Sequence, residues 1–402
     1  MQSPVPLFEG ARIGHSPLAV FKIRSAAVVG VFVSLLVGVS SAVAQSDDKG
    51  NLIRGVANPI LRNGPQAYDV VKVGPAAVKV GPNDYRMWYE AIADAGNSVA
   101  GTTTAAYATS TDGTTWKKYT GNPVLAGTVG WENDEISPVA VLYDPDAALW
   151  KMWYHGGHNV GPRAIGYAWS PDGITWTKYM GNPVLERGAP GSWEGGFIAD
   201  AKVIRVSRTD YRMWYRGADD SVGRYGYATS TDGISWTKYA GNPIFLPAVA
   251  GWDTGSLMAF APLREPDGTY RAWYIADPGD WRRIAVGYAT SPDGITWTRQ
   301  IGPVLSAIPG DGPTDSIDVY RDGDDVRLVY GQYDLSASPP LRGKGEARVV
   351  AQPPAPVPAP PNPPAPPAPP DPPAPPDPPT EPAPPGPPGF SPGPPGFRYR
   401  SL

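Results

Sequence analysis

The side chains able to do acid–base chemistry gather in two sets of short segments. The first set holds Tyr68-Asp69, Trp131-Glu132-Asn133-Asp134-Glu135, Trp193-Glu194, Trp252-Asp253 and the stretch around Asp315. The second holds Glu90, His155 to His158, Arg216 to Asp220, Asp277 to Arg283 and Gln332, with Arg163 and Arg224 in adjoining stretches. Two carboxyl groups placed across one acetal bond can split it: one protonates the leaving oxygen while the other activates water or attacks. Asp69, Glu135 and Asp200 are the catalytic candidates, because they fall on successive segments of the chain. Asp200 stands where the neighbouring copies have Pro75 and Pro138. Asp134 and Glu135 are adjacent, and like-charge repulsion would raise the pKa of one of them, as suits an acid. The candidate binding residues are Glu90, Trp131, Asp134, His155, Arg163, Trp193, Glu194, Arg216, Arg224 and Trp252. Carboxylates and guanidinium groups bond hydroxyls, and indole faces stack on C–H surfaces. That combination suits a carbohydrate.

Other chemistries are excluded or weak. The chain has no cysteine, so there is no disulfide framework, thiolate zinc site or cysteine nucleophile. Its net charge of −4 comes without a basic stripe, which argues against a nucleic-acid partner. Of three histidines, His15 lies near the N-terminus, leaving His155 and His158. A His-Gly-Gly-His pair is a poor metal motif, and no metal-ligating residue is assigned.

The elements that must position these residues follow from a repeat. Tyr107–Trp116 (Tyr-Ala-Thr-Ser-Thr-Asp-Gly-Thr-Thr-Trp) recurs at Tyr167–Trp176, Tyr227–Trp236 and Tyr288–Trp297. Between the copies stand Tyr85-Arg-Met-Trp-Tyr89, Trp150-Lys-Met-Trp-Tyr154, Tyr211-Arg-Met-Trp-Tyr215, Tyr270-Arg-Ala-Trp-Tyr274 and the weaker Val326-Arg-Leu-Val-Tyr330. The period is about 60 residues. Aromatic enrichment, two-residue alternation and Asp-Gly turns predict four strands per unit. A four-stranded blade cannot cover both its faces, so the units must stack in a ring. The expected fold is all-β: a five-bladed β-propeller over residues 45–350. The fifth unit lacks its last strand, whereas Asn51–Leu61, ending Asn58-Pro-Ile-Leu61, matches the end of a unit that has lost its beginning. The N-terminal segment is therefore expected to close blade five.

Repetition marks scaffold. Asp112, Asp172, Asp232 and Asp293 should bond turn amides, and Trp88, Trp153, Trp214 and Trp273 should pack between blades. Asp69, Glu132, Glu194 and Asp253 also recur, and read equally as scaffold or site. Function is expected where the repeats disagree.

The ends differ from this middle. Arg12, Lys22 and Arg24 precede an apolar run from Ala26 to about Val39, then Ala42-Val43-Ala44. Residues 1–44 read as a signal peptide cut after Ala44, with a retained membrane anchor as the alternative. The protein is thus expected outside the cytoplasm, secreted or in the cell envelope. Residues 351–402 form a proline-rich tail without collagen's strict glycine period, expected to be disordered and extended. It is either a plain linker or a stalk that contacts a wall or surface.

Units such as Tyr211-Arg-Met-Trp-Tyr215 followed by Gly226–Trp236 and Gly241-Asn-Pro-Ile244 resemble the five-bladed propeller glycosidase superfamily of arabinanases, β-xylosidases and invertases. The resemblance covers roughly residues 55–350. It implies a glycoside hydrolase acting on a polysaccharide or oligosaccharide, and allows a structural Ca2+ or other cation in the channel; the protein is expected to be monomeric. Members place an Asp base on blade one, an Asp modulator on blade two and a Glu acid on blade three. By that implication Asp69 is the base and Asp134 or Glu135 the modulator. Blade three departs from the pattern, with Trp193-Glu194-Gly195-Gly196 nearest to the acid motif and Asp200 six residues beyond Glu194. The alternative reading is a non-catalytic glycan-binding or structural propeller.

Overall fold

Five antiparallel sheets follow one another along the chain in a computed structural model. It describes residues 52–349 except 56–57, 59, 63–69, 72–75, 93–101, 129, 158–162, 220–221, 280–283, 307–311 and 335–340. The leader, the proline-rich tail, Asp69, His158, Arg282 and Arg283 lie outside the described residues.

Each blade runs from its innermost strand outward. Blade one uses Ala76–Gly81, Asp84–Ile92, Thr103–Ser110 and Trp116–Lys118. Blade two uses Ser137–Asp144, Leu149–Gly156, Ala164–Ser170 and Thr177–Lys178. Blade three uses Phe197–Ser207, Asp210–Ala218, Arg224–Ser230 and Thr237–Lys238. Blade four uses Ser256–Arg264, Tyr270–Asp277, Ala285–Ser291 and Thr298–Arg299. In blade five, Gly312–Asp322, Asp325–Asp334 and Leu341–Val349 are followed outward by Leu52–Arg54. The N-terminal segment closes the ring, with Leu52 opposite Val349 and Arg54 opposite Ala347.

The closure copies the repeat in detail. In blade one the side chain of Asn122 accepts from the Tyr107 amide at 2.8 Å and donates to its carbonyl at 3.0 Å. Asn58 does the same to Glu346, at 2.7 and 3.0 Å. An asparagine from the N-terminal segment thus fills the place that Asn122, Asn182 and Asn242 fill in blades one to three.

The second strands are buried on both faces, which is why they read as continuous aromatic runs rather than alternating ones. Their tryptophans join consecutive blades. The indole N–H groups of Trp88, Trp153 and Trp214 donate to the carbonyls of Gly173, Gly233 and Gly294, in the Asp-Gly turn of the next blade. Those turns are set by aspartate: Asp172 Oδ1 accepts from the Ile174 and Thr175 amides at 2.8 and 2.7 Å. Gly173 has φ +81°, and a Cβ there would lie 2.9 Å from the Trp88 ring, so only glycine fits. Blade five has Val329 at the tryptophan position, and Arg327 instead donates to Asp112 O at 2.9 Å to reach blade one. Trp214→Phe keeps most of the packing and removes one of two indole donors to the Gly294 carbonyl, the other being Trp297 at 3.0 Å. Denaturant unfolding should show a loss of about 0.5–1.5 kcal/mol.

Below one mouth of the channel, Lys202 of blade three reaches across to Asp318 of blade five at 3.0 Å. The other Asp318 oxygen accepts from the Ala77 amide of blade one at 2.7 Å. Three innermost strands, two of them on non-adjacent blades, are tied by one carboxylate.

Candidate functional site

The repeated acids belong to the scaffold wherever they are described. Glu132 accepts from the Tyr154 hydroxyl at 2.7 Å and the Lys178 ammonium at 2.5 Å. Burial opposes its charge, but Lys178, Tyr154 and Thr128 together hold its pKa below the usual glutamate value. Glu194 pairs with Lys238 at 2.7 Å and with Tyr215, while Asp253 takes Tyr274 at 2.8 Å and Arg299 at 3.2 Å. Each of blades two to four thus spends its acid on the tyrosine of its W-Y pair and on the basic residue of its outer strand. Trp131, Trp193 and Trp252 lie on the same three tyrosines, with centroids 5.8–5.9 Å apart. Glu194 and these tryptophans, considered above as substrate contacts, sit in these packed triads. Asp69 occupies the corresponding place in the sequence of blade one.

The residues at which blades differ converge elsewhere. The residue after each W-Y pair is Glu90, His155, Arg216 or Ile275. Because it lies in the last three residues of its strand, beside the next blade, its side chain meets that blade's innermost strand. Glu90 Oε2 accepts from Ser137 Oγ at 2.7 Å. His155 meets Asp200, with Nδ1 3.9 Å from Oδ1. Arg216 pairs with Asp200 Oδ2 at 3.5 Å and extends to Ser256 Oγ and Met258 Sδ of blade four. Ile275 instead joins an apolar cluster with Ile317. Among the described residues the polar arc runs through blades one to four.

Glu135 completes it. The carboxylate is 3% exposed and lies 3.7 Å from His155 Nε2 and 3.6 Å from Arg163 Nη2. One imidazole, itself 5% exposed, therefore has Glu135 on one nitrogen and Asp200 on the other. These are ion-pair distances, longer than hydrogen bonds. Burial opposes a charge on His155, the two carboxylates favour it, and Arg163 opposes it; the balance raises its pKa above the ordinary value. Asp200 keeps 28% of its side chain exposed, so the arc is open to solvent at that point.

The backbone beneath both carboxylates is unusual. Asn133, Asp134 and Asp200 have φ of +46°, +60° and +47°, a region that non-glycine residues seldom occupy. Asp200 and Ala201 form a bulge, lying opposite Tyr215 where the strand register shifts. Strain of this kind clusters at functional sites.

Of the sequence candidates, Glu135, His155, Asp200, Arg163 and Arg216 are brought together, with Glu90 beside them on Ser137. Asp134 is exposed while Glu135 is buried, so the neighbours occupy different environments. Arg224 pairs with Asp219 at 3.1 Å, outside the arc. Phe197 was missed: the guanidinium groups of Arg163 and Arg216 lie 5.9 and 5.3 Å from its ring centre. Counting four residues on from each blade-opening tryptophan gives Glu135, Phe197 and Ser256, three unlike residues at one repeat position. That disagreement was the available signal. Among the described residues no group of three His, Asp or Glu side chains could hold a metal ion. Asp318 in the channel already has Lys202 and the Ala77 amide, so the residues described there do not fit a channel cation.

No family model matches the chain. It is 26% identical over 216 residues to an acid beta-fructofuranosidase 2, vacuolar, of a Rosa hybrid cultivar. That stretch is 47% of this chain and 29% of the rose protein, so the chain spans under a third of that relative's length. A solved structure from the GH130 family of mannoside phosphorylases, described as containing glycoside hydrolases that target beta-1,2 mannosidic linkages in Candida mannan, has a TM-score of 0.59. It is 18% identical and covers 75% of this chain and 96% of that one. The fold is that of the five-bladed propeller glycosidases. A glycosyl hydrolase from Bacteroides ovatus gives a TM-score of 0.57 at 18% identity, with 75% and 94% of the two chains covered. A beta-1,2-mannobiose phosphorylase from Listeria innocua gives 0.56 at 13%, with 74% and 96% covered. In this propeller the distinctive acids lie on blades two and three, away from the repeated triads.

Proposed function

We propose that the protein is a secreted glycoside hydrolase, exported through residues 1–44, that cleaves a polysaccharide or oligosaccharide at the Glu135–His155–Asp200 arc. The observation that carries this reading is the pair of non-repeated carboxylates, from successive blades, held on opposite nitrogens of one buried imidazole. Water reaches Asp200 and not Glu135. Asp200 is therefore assigned as the base that takes a proton from the attacking water, and Glu135 as the acid that protonates the departing glycosidic oxygen. The water oxygen bonds to the anomeric carbon as the C–O bond to the leaving sugar breaks. Arg163, Arg216 and Glu90 are assigned to substrate hydroxyls and Phe197 to a C–H face. Substrate binding would draw the long contacts of the free enzyme into hydrogen bonds.

The names of the similar proteins support a carbohydrate substrate and suggest fructosides and β-1,2-mannosides among the first to try. The test is sugar release by the purified chain from fructan, β-1,2-mannan, arabinan, xylan and galactan. Release from one polymer is expected and would give the substrate class. Binding without release from any of them favours the second reading, a non-catalytic glycan-binding propeller. One observation supports that alternative: Glu135 and Asp200 each already face an arginine.

A further inference from the structure

We propose that His155 is a positioning residue that couples the two carboxyl groups, setting Asp200 according to whether the imidazole is charged. The inference rests on the assignment of Glu135 and Asp200 as the working pair. Four side chains bear on it from separate elements. His155 lies one residue before the end of the second strand of blade two, Glu135 precedes the first strand of that blade, Arg163 precedes its third strand, and Asp200 comes from blade three. Arg216 stands behind Asp200.

The two nitrogens have unlike surroundings. Nε2 faces a carboxylate oxygen of Glu135, 3.7 Å away. Nδ1 has two partners on the same residue: the Asp200 amide, which donates to it at 3.5 Å, and Asp200 Oδ1 at 3.9 Å. A neutral imidazole with its proton on Nε2 accepts from the Asp200 amide and gives the carboxylate nothing. An imidazolium has lost that lone pair and presents Nδ1–H to Oδ1. A proton taken from solvent therefore replaces an amide contact with a carboxylate contact at the one bulged, positive-φ residue of this strand. In the charged state Glu135 and Asp200 are held by one rigid ring, and their separation is fixed. In the neutral state Asp200 is left to Arg216. The pKa of His155 is raised in the fold, so the coupled state is complete below the ordinary histidine range. It is lost as pH rises through the higher folded value.

Histidine-selective 13C and 15N labelling of the full chain tests this without any substrate. The chain has three histidines, and the His155 resonance is the one missing from His155→Gln. Its midpoint should lie above the ordinary 6.5 and fall by about one unit in both Asp200→Asn and Glu135→Gln. The Asp200→Asn change should act mainly on the Nδ1 shift and the Glu135→Gln change on the Nε2 shift. Both replacements are close in shape, and asparagine tolerates positive φ, so a native spectrum outside the site shows that each variant is folded. A midpoint that is the same in all three proteins would overturn the coupling. With any glycoside the chain hydrolyses, His155→Gln should move the alkaline limb of the kcat profile, which Glu135 alone would then set, whereas an unchanged limb would also count against the coupling. Absence of hydrolysis with a coupled titration sinks the enzyme reading and leaves the coupling standing.

Discussion

Asp200→Asn is expected to lower turnover by about 10²–10⁴-fold, the range of a lost general base, with unfolding free energy within about 1 kcal/mol of the parent. The two halves of this expectation have different origins. Asparagine keeps the size of the side chain and accepts the +47° φ of the bulge, so the strand should form as before. What disappears is the charge, and with it the ability to take a proton from water. The ion pairs to His155 and Arg216, at 3.9 and 3.5 Å on a carboxylate 28% exposed, are long and partly solvated, and so add little to stability. Steady-state kinetics beside denaturant melts separates the two. An equal loss in both would mean that Asp200 is scaffold.

Lys202→Met should show the opposite pattern at a site just below, with a loss of about 3–5 kcal/mol at neutral pH. Lys202 and Asp318 keep only 12% and 15% of their side chains exposed and bring together blades one, three and five. Removing the ammonium leaves a carboxylate in a place where burial already raises its pKa despite Lys202 and the Ala77 amide. A carboxyl whose folded pKa exceeds its unfolded value binds more protons in the fold. Its contribution to stability is therefore greatest at low pH and falls as pH rises through the gap between the two values. Without Lys202 that gap widens, so the variant should be weakened more at pH 7 than at pH 4. Asp318→Asn in the same chain should recover part of the loss. Urea unfolding at the two pH values checks this, and a loss independent of pH would show that packing, not charge, holds the blades together.

The fold was readable because a propeller writes itself into its sequence several times. Trp88, Trp153 and Trp214 bond the next blade's turn, and those turns need Asp172 and Gly173 for stated physical reasons, so spacing alone recovered the blades. Even the closing strand was legible, since Asn58 carries the same Asn-Pro signature as Asn122. The site was harder to read. Trp131, Trp193 and Trp252 look like sugar platforms on composition, yet each packs on a tyrosine of its own blade. Their repetition was the better guide. Phe197 was missed because it matters only through Arg163 and Arg216, which approach it from different blades, and no local pattern encodes such a meeting. Glu135, His155 and Asp200 stood out individually as departures from the repeat. Their arrangement on one imidazole depends on the next blade's position, which only the closed ring provides.

The measurement that tests the central claim most directly compares the purified chain with Glu135→Gln on the polymer that gives release. Sugar release would be followed by chromatography, and binding of the same polymer by calorimetry. Retained binding with release reduced at least a hundredfold, the lower bound for a lost general acid, is the predicted result. Undiminished release from Glu135→Gln would contradict the account, because the chemistry would then lie outside the Glu135–His155–Asp200 arc.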